Sequence, residues 1–226
     1  MSAEQVRAET AAFMRKVYLF MSAGLAATGV TAMIVAGSEA AVRFILLNRA
    51  VFYGLLIVEV LMVLGFVALV KRMSAIGAGV LFFSYAIVSG LTFSVIFLVY
   101  TMSSIATTFY VTAGTFAATS AVGYVTKRDL SGVGHFCIMG LIGLIIASVV
   151  NLFVASTQLY WLTTYAGVII FVGLTAYDTQ KIKQLNVIGN AGTDEDHKEA
   201  IHGALVLYLD FINLFLYLLR LFGRRR

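Results

Sequence analysis

Three carboxylates lie in apolar stretches of this 226-residue sequence, where a charged side chain is unexpected. Glu59 is midway along one apolar run, Asp178 ends another, and Asp210 is near the middle of the last. A charged side chain at mid-bilayer depth costs about 2.5–3.5 kcal/mol, so such a group must be neutralised, paired or facing water. These positions are therefore the first candidates for chemistry.

The run that contains Asp210 extends from about Gly203 to Phe222, which is long enough to cross a bilayer. At about 100° per residue, Asp210, Asn213, Tyr217 and Arg220 fall within roughly one quarter of the helix circumference. The rest of this helix is mainly Leu, Ile and Phe. A polar stripe on an apolar helix predicts either a path for a polar solute or a latch between helices.

With Asp178 drawn inward from the end of its segment, the carboxyl groups of Asp178 and Asp210 could come within hydrogen-bonding range. Asp178 ends the sixth apolar segment, and Asp210 is about seven residues into the seventh, or roughly 10 Å along a helix. A loop over residues 181–202 would let the two segments pack antiparallel. Two carboxyl groups in a low-dielectric site do not both ionise readily, so they share one proton. The spacing therefore predicts a proton-controlled contact between two helices.

Simpler interpretations of these carboxylates remain open. Asp178 could be an interfacial residue that pairs with Lys181, and Asp210 could make a purely structural hydrogen bond. Glu59 paired with Arg220 could be a static strut or part of a gate.

Two further groups of charged residues are considered as possible site residues: a pair of cations and an acidic run. The further cations able to answer a buried carboxylate are Lys71 and Arg72, at the inner end of the second segment. The acidic run 194–196 lacks the glycine and the spaced ligands of an EF-hand, so it is predicted to be a solvated loop.

The composition predicts an all-α integral membrane protein. Apolar residues make up 61% of the chain and charged residues 12%, against about 25% charged in soluble domains. The net charge of +5 reflects loop Lys and Arg, so we expect a lipid bilayer as partner and no nucleic acid. A single cysteine, Cys137, excludes an intramolecular disulfide and a thiolate metal site, and no cofactor is expected.

Seven apolar segments can be placed along the chain. They are residues 17–37, 50–70, 76–100, 105–125, 133–154, 160–177 and 203–222. The predicted organisation is an amino-terminal cytoplasmic segment (1–16), a seven-helix transmembrane domain (17–222) and a basic tail (223–226).

Loop charges predict a cytoplasmic amino terminus. With that orientation the inner side holds ten cations: Arg7, Arg15, Lys16, Lys71, Arg72, Lys127, Arg128, Lys181, Lys183 and Lys198. The outer loops hold only Arg43 and Arg49, which is a clear positive-inside bias. Seven spans would place the basic tail outside, unless the last segment is re-entrant, and the side of the carboxyl terminus stays open.

The residues resemble the Bax inhibitor-1 (transmembrane Bax inhibitor motif) family along nearly the whole chain. The most specific stretches are GLTAYDTQ at 173–180 and LYLDFINLF at 207–215. TKRDLS at 126–131 and SGLT at 89–92 are also similar to that family. The chain length and the short amino terminus resemble a bacterial member, which implies an inner-membrane location.

This resemblance implies seven helices with the last helix central, and a pH-sensitive calcium leak. The family's aspartate pair maps onto Asp178 and Asp210, which would form the pH gate and bind calcium transiently. Its ionic latch maps onto Glu59 and Arg220.

The basic residue that engages the first aspartate would be Lys71 or Arg72. Asn213, on the stripe of Asp210, is a further possible partner of the gate.

The preferred hypothesis is thus a proton-gated calcium leak channel that is not an enzyme, with calcium ions and protons as its partners. The main alternative is an intramembrane aspartyl protease, since two aspartates sharing a proton are also that chemistry. Against it, Leu-Tyr-Leu rather than a glycine-containing turn precedes Asp210, and the chain has no proline. A third possibility is a membrane interaction protein that transports nothing.

Overall fold

The computed structural model describes residues 2–226, apart from the side chains of residues 46 and 47. Eight α-helices follow one another over this range: α1 (Ala3–Ala36), α2 (Glu39–Val42), α3 (Arg49–Leu69), α4 (Ala75–Val99), α5 (Met102–Val125), α6 (Ser131–Val154), α7 (Thr157–Leu185) and α8 (Asp194–Phe222). A π-helical turn (Arg43–Leu47) precedes α3, and a 3-10 turn (Val70–Arg72) follows it. The prediction of an all-α protein is confirmed for the described residues.

Six of these helices are long and apolar enough to cross a membrane: α1, α3 with its 3-10 turn, α4, α6, α7 and α8. Within residues 2–226, α5 is the remaining long helix, and it falls short because Ser and Thr are frequent in it. The predicted count of seven spanning helices is therefore not confirmed. α8 buries a larger share of its apolar stretch than any other candidate span. Its central position stays a prediction.

Two helices extend well beyond their apolar segments. α7 continues through Asp178 to Leu185, and α8 begins at Asp194, so residues 186–193 form the linker rather than residues 181–202. The acidic run 194–196 is thus the first turn of α8, and the prediction of a solvated loop was wrong. Carboxylates are stable there because they face the unsatisfied N–H groups and the positive end of the helix dipole.

α1 likewise passes through the predicted boundary at residue 16. It begins at Ala3, where the Ser2 side chain accepts a hydrogen bond from the N–H of Gln5 and the Gln5 side chain accepts one from the N–H of Ser2. This capping box explains why a helix starts so far upstream of the apolar run. The division into segments 1–16, 17–222 and 223–226 stays a prediction.

The chain divides into two compact units, and the first comprises the described residues up to Thr101, Leu185–Tyr208 and Arg226. Its helices α1 and α4 approach closely where glycine leaves room. A Cβ on Gly90 would come within 2.7 Å of the carbonyl oxygen of Thr28. The hydroxyl groups of Thr28 and Tyr208 are 2.7 Å apart, which joins α1 to the first half of α8.

A buried ion pair also joins α1 to α8 in the first unit. Lys16 donates to Asp196, whose Oδ2 also accepts from the N–H of Gly192. Asp196 is 2% exposed and Lys16 is 32% exposed. The carboxylate of Asp196 therefore depends on Lys16 for its compensating charge.

Lys16→Ala is therefore expected to destabilise the protein, because it leaves a buried carboxylate without its cation. Breaking a buried pair costs about 3–5 kcal/mol, and we expect the lower end because Lys16 is partly exposed. Thermal unfolding in detergent measures the loss. The control is Lys198→Ala, whose partners Asp194 and Glu195 are exposed, and which should cost at most about 1 kcal/mol. Equal losses in the two variants would contradict the prediction.

The second unit comprises Met102–Gln184 and Leu209–Arg225. Here α7 packs closely on two helices through glycines. A Cβ on Gly134 of α6 would meet the ring of Tyr177 at 2.6 Å, and a Cβ on Gly123 of α5 would come within 2.1 Å of the carbonyl oxygen of Ala176. α7 therefore lies directly against its neighbours at the residues that precede Asp178.

The second half of α8 is held in this unit mainly by aromatic side chains. Phe211 packs against Phe109 and Phe116 of α5, and Tyr217 stacks on Phe171 of α7. Gly167 of α7 makes room for the Tyr217 ring. Tyr217 lies two helical turns after Asp210, on the same face of α8. Because Tyr217 contacts α7, Asp210 faces α7 as well.

Candidate functional site: an aspartate pair in the second unit

Asp178 and Asp210 both belong to the second unit, on α7 and α8. Asp178 is half-buried and Asp210 is 5% exposed. Their carboxyl groups lie within electrostatic range of each other. The two carboxylates that the sequence analysis singled out are therefore brought together.

A hydrogen bond between two carboxyl groups needs a proton on one of them, because a carboxylate can only accept. A hydrogen bond within this pair would therefore require at least one bound proton. Oδ2 of Asp210 is buried and has no hydrogen-bond partner within the described part of the chain. An unsatisfied buried oxygen is costly, and it is also the type of ligand that a hard divalent cation takes.

The pair offers a cation only two side chains. Among the described residues, no group of three or more His, Cys, Asp and Glu side chains could hold a metal ion. The prediction of transient calcium at Asp178 and Asp210 stays a prediction.

Two further groups lie within electrostatic range of the pair. The amine of Lys181 acts on Asp178, and its Nζ is 5.4 Å from the centroid of the Tyr177 ring. Cys137 of α6 is buried and within range of both carboxyl groups. Its place beside the pair has no signal in the sequence, which shows only a lone cysteine in an apolar run.

The carboxy-terminal end of α7 is hydrogen-bonded to α5 and to the turn that follows α5. The hydroxyl groups of Ser120 and Thr179 are 2.9 Å apart, and Lys183 donates to the carbonyl oxygen of Tyr124 at 2.8 Å. Gln180 accepts from the N–H of Leu130 and donates to the carbonyl oxygen of Arg128. Only the motifs at 126–131 and 173–180 indicated that these stretches matter.

Asn213 is turned toward its own helix, where its Nδ2 donates to the carbonyl oxygen of Leu209 at 2.8 Å. It lies one turn after Asp210 and is partly buried. Its predicted role beside the gate is not tested by this contact and stays a prediction.

The predicted latch residues belong to different units, Glu59 to the first and Arg220 to the second. Glu59 is half-buried on α3 and accepts a hydrogen bond from Thr92 of α4. The Arg220 guanidinium lies over the rings of Tyr217, at 5.3 Å, and Tyr160, at 5.9 Å. The latch between Glu59 and Arg220 stays a prediction.

Lys71 and Arg72 lie in the 3-10 turn after α3, in the first unit, and both are exposed. Their predicted engagement with the gate stays a prediction.

Comparison with known proteins gives one matching family and several similar proteins. Residues 10–226 match the family described as "Inhibitor of apoptosis-promoting Bax1". Inner membrane protein YbhL of Escherichia coli (strain K12) is 49% identical over 223 residues, which cover 98% of this chain and 95% of that protein. An uncharacterized protein of Rickettsia prowazekii is 43% identical over 218 residues, covering 95% of this chain and 90% of that protein. One of Borreliella burgdorferi is 41% identical over 214 residues, covering 95% and 92%.

Proposed function

The chain belongs to the Bax inhibitor-1 family of membrane proteins, and on that premise we propose that it is a pH-sensitive calcium leak channel. The proton shared by Asp178 and Asp210 holds the path shut. The observation that supports this proposal is that the two carboxyl groups lie within electrostatic range of each other, one of them almost fully buried.

Loss of the shared proton changes the contact from attraction to repulsion. Two carboxylates at hydrogen-bonding distance repel each other strongly where water is scarce. α7 and the second half of α8 then separate, and the freed oxygens attract a hard divalent cation. The sign follows directly: protonation closes the path, and calcium flux increases as the pH rises.

The protein lies, in this proposal, in a bacterial inner membrane with its amino terminus in the cytoplasm. It has no enzymatic activity. The name of the E. coli relative supports the location, and the distribution of Lys and Arg supports the orientation. An ionic latch between Glu59 and Arg220 would add a second restraint on the closed state. The partners of the channel are calcium ions, protons and the lipid bilayer.

The proposal is tested by reconstituting the purified protein in liposomes that contain a calcium-sensitive dye. We expect the calcium flux to rise with pH, by up to about tenfold per unit while the deprotonated fraction is small. Protein-free liposomes at each pH are the control for leakage. A flux that does not change with pH, or that rises on acidification, would contradict the gate. Absence of flux at every pH would favour an interaction protein that transports nothing.

A further inference from the structure

The linker between α7 and α8, residues 186–193, is short and folded into turns. The N–H of Asn190 donates to the carbonyl oxygen of Val187 at 3.3 Å, and the N–H of Thr193 donates to that of Asn190 at 3.0 Å. An extended chain of this length would reach roughly 26 Å, at about 3.3 Å per residue. Because the chain turns back on itself, the linker uses only part of that reach and holds length in reserve.

Both glycines of the linker donate their N–H groups to carboxylates. Gly189 and Gly192 have left-handed backbone conformations, with φ of +95° and +81°, which glycine adopts without strain. The N–H of Gly189 donates to Oε1 of Glu9 on α1 at 2.7 Å, and the N–H of Gly192 donates to Oδ2 of Asp196 on α8 at 2.7 Å. Hydrogen bonds to charged acceptors are stronger than neutral ones, so these bonds anchor the linker to both helices.

A second contact joins the linker to α1. Nδ2 of Asn186 donates to Oγ1 of Thr10 at 3.4 Å, so two successive residues of α1, Glu9 and Thr10, hold the linker. The apolar side chains of the linker add little to this attachment, since Val187 is 54% exposed and Ile188 is 40% exposed. Polar contacts with α1 therefore decide whether the linker stays docked.

The part of α1 that carries these acceptors extends beyond the length that a membrane span requires. α1 has 34 residues, whereas about 20 are enough to cross the hydrocarbon core. The surplus is the amino-terminal arm, residues 3–16, whose Phe13 and Met14 are buried. Lys16 of the arm also pairs with Asp196, so the arm contacts the first turn of α8 as well as the linker. The arm is thus a fixed support for the linker.

A docked linker limits how far α7 and α8 can move apart, because it is the covalent connection between them. While Glu9 and Thr10 hold it, the linker cannot straighten. Once it is released from α1, its turns can open and its full length becomes available. Docking on the arm therefore opposes the helix separation by which the proposed channel opens.

We infer that the amino-terminal arm of α1 is an autoinhibitory strap: through Glu9 and Thr10 it holds the 186–193 linker and so restrains α7 and α8 from separating. This inference rests on the proposed function for its consequence in calcium flux, and it does not depend on the protonation of any residue. In the conducting state the linker leaves the arm. The strap thereby limits the calcium flux at any one pH.

The docking contact is tested with Glu9→Ala, and the matched control is Glu4→Ala, an exposed carboxylate in the first turn of the same helix. Hydrogen exchange of the linker amides, followed by mass spectrometry, is the readout. Exchange should rise about threefold to tenfold in Glu9→Ala, because it follows the population of undocked linker, and Glu4→Ala should match the wild-type protein. Glu9→Gln, whose side-chain oxygen still accepts from Gly189, should lie between them. Unchanged exchange in Glu9→Ala would overturn the inference.

The same variants are then compared in calcium flux, at one pH at which the wild-type protein conducts weakly. Glu9→Ala should raise the flux about threefold to tenfold, in line with the undocked population, and Glu4→Ala should leave it unchanged. A contact that only orders a loop would change the exchange of the linker without raising the flux, and that result would refute the strap.

The opposite perturbation fixes the linker to the arm. Thr10→Cys and Asn186→Cys are combined and joined by a short thiol-specific cross-linker, while the native Cys137 is buried. Flux should fall about tenfold or more on cross-linking, because the linker can no longer leave the arm. Each single-cysteine variant, treated in the same way, should conduct as it did before treatment. Equal flux in the double variant before and after cross-linking would contradict the strap.

If the wild-type protein carries no calcium at any pH, the proposed function fails while the strap can still be judged. Spin labels are then placed at Gln184 and Glu195, exposed residues on the two helices that flank the linker. The distance distribution between the labels should shift to longer distances in Glu9→Ala and remain unchanged in Glu4→Ala. An unshifted distribution in Glu9→Ala would show that the arm does not restrain these helices, and the inference would be wrong.

Discussion

Asp210→Asn is expected to abolish the pH dependence of calcium flux and to hold the channel shut. The side-chain amide cannot lose a proton in this pH range, and its N–H can donate to the Asp178 carboxylate, so contact persists where the wild-type pair would separate. Across two pH units below the midpoint the wild-type flux should change by up to about 100-fold, and the variant flux by almost nothing. The measurement is dye-reported calcium entry into liposomes at matched protein density.

The matched control for this substitution is Asp129→Asn, an exposed residue in the turn after α5, where the amide oxygen can still accept from Ser131. It should keep the wild-type pH profile. If Asp210→Asn instead leaves both the flux and its pH dependence unchanged, the gate does not lie at this pair.

Gly123→Ala is expected to have the largest effect on folding among single-methyl changes in the second unit. The added Cβ would lie 2.1 Å from the carbonyl oxygen of Ala176, and a backbone atom cannot move aside by changing rotamer. Overpacking of this kind costs about 1–3 kcal/mol, and α5 and α7 must separate to accept it. Since Ala176 is two residues before Asp178, we expect the pH profile of calcium flux to move as well.

Thermal unfolding in detergent measures this loss, with Gly114→Ala as the control on the same helix. Apart from the adjacent backbone of α5 itself, no atom of the described residues lies within 4 Å of a Cβ built on Gly114, so that variant should unfold at the wild-type temperature or slightly above it. Equal unfolding temperatures for the two variants would show that the α5–α7 contact is looser than described.

Hydropathy predicted the helices well where their apolar faces decide the structure. The segment 133–154 corresponds to α6 (Ser131–Val154) almost residue for residue. Hydropathy did not predict the end of a helix that continues beyond its apolar stretch. α7 continues to Leu185, because its last turns bury Thr179, Gln180 and Ile182 against protein and not against lipid. A scale for lipid affinity does not register such contacts.

The apolar character of the sequence likewise indicated some residues of the candidate site and missed others. Asp178 and Asp210 were singled out because a carboxylate in an apolar run is conspicuous, and antiparallel packing of their helices then allowed the two carboxyl groups to approach each other. Gln180 was not found, because its partners are backbone atoms of the 126–130 turn. Backbone partners leave no pattern in the side-chain sequence, so only coordinates reveal them.

The first unit has a consequence for the order in which the protein is made. Lys16 and Asp196 are 180 positions apart in the chain, as are Thr28 and Tyr208. Both links join α1 to the last helix. Nearly the whole polypeptide must therefore be synthesised before α1 can form its contacts with α8. Until then Lys16 lacks its partner carboxylate and the face of α1 that packs on α8 is uncovered, and exposed apolar surface of this kind makes an incomplete chain prone to aggregation.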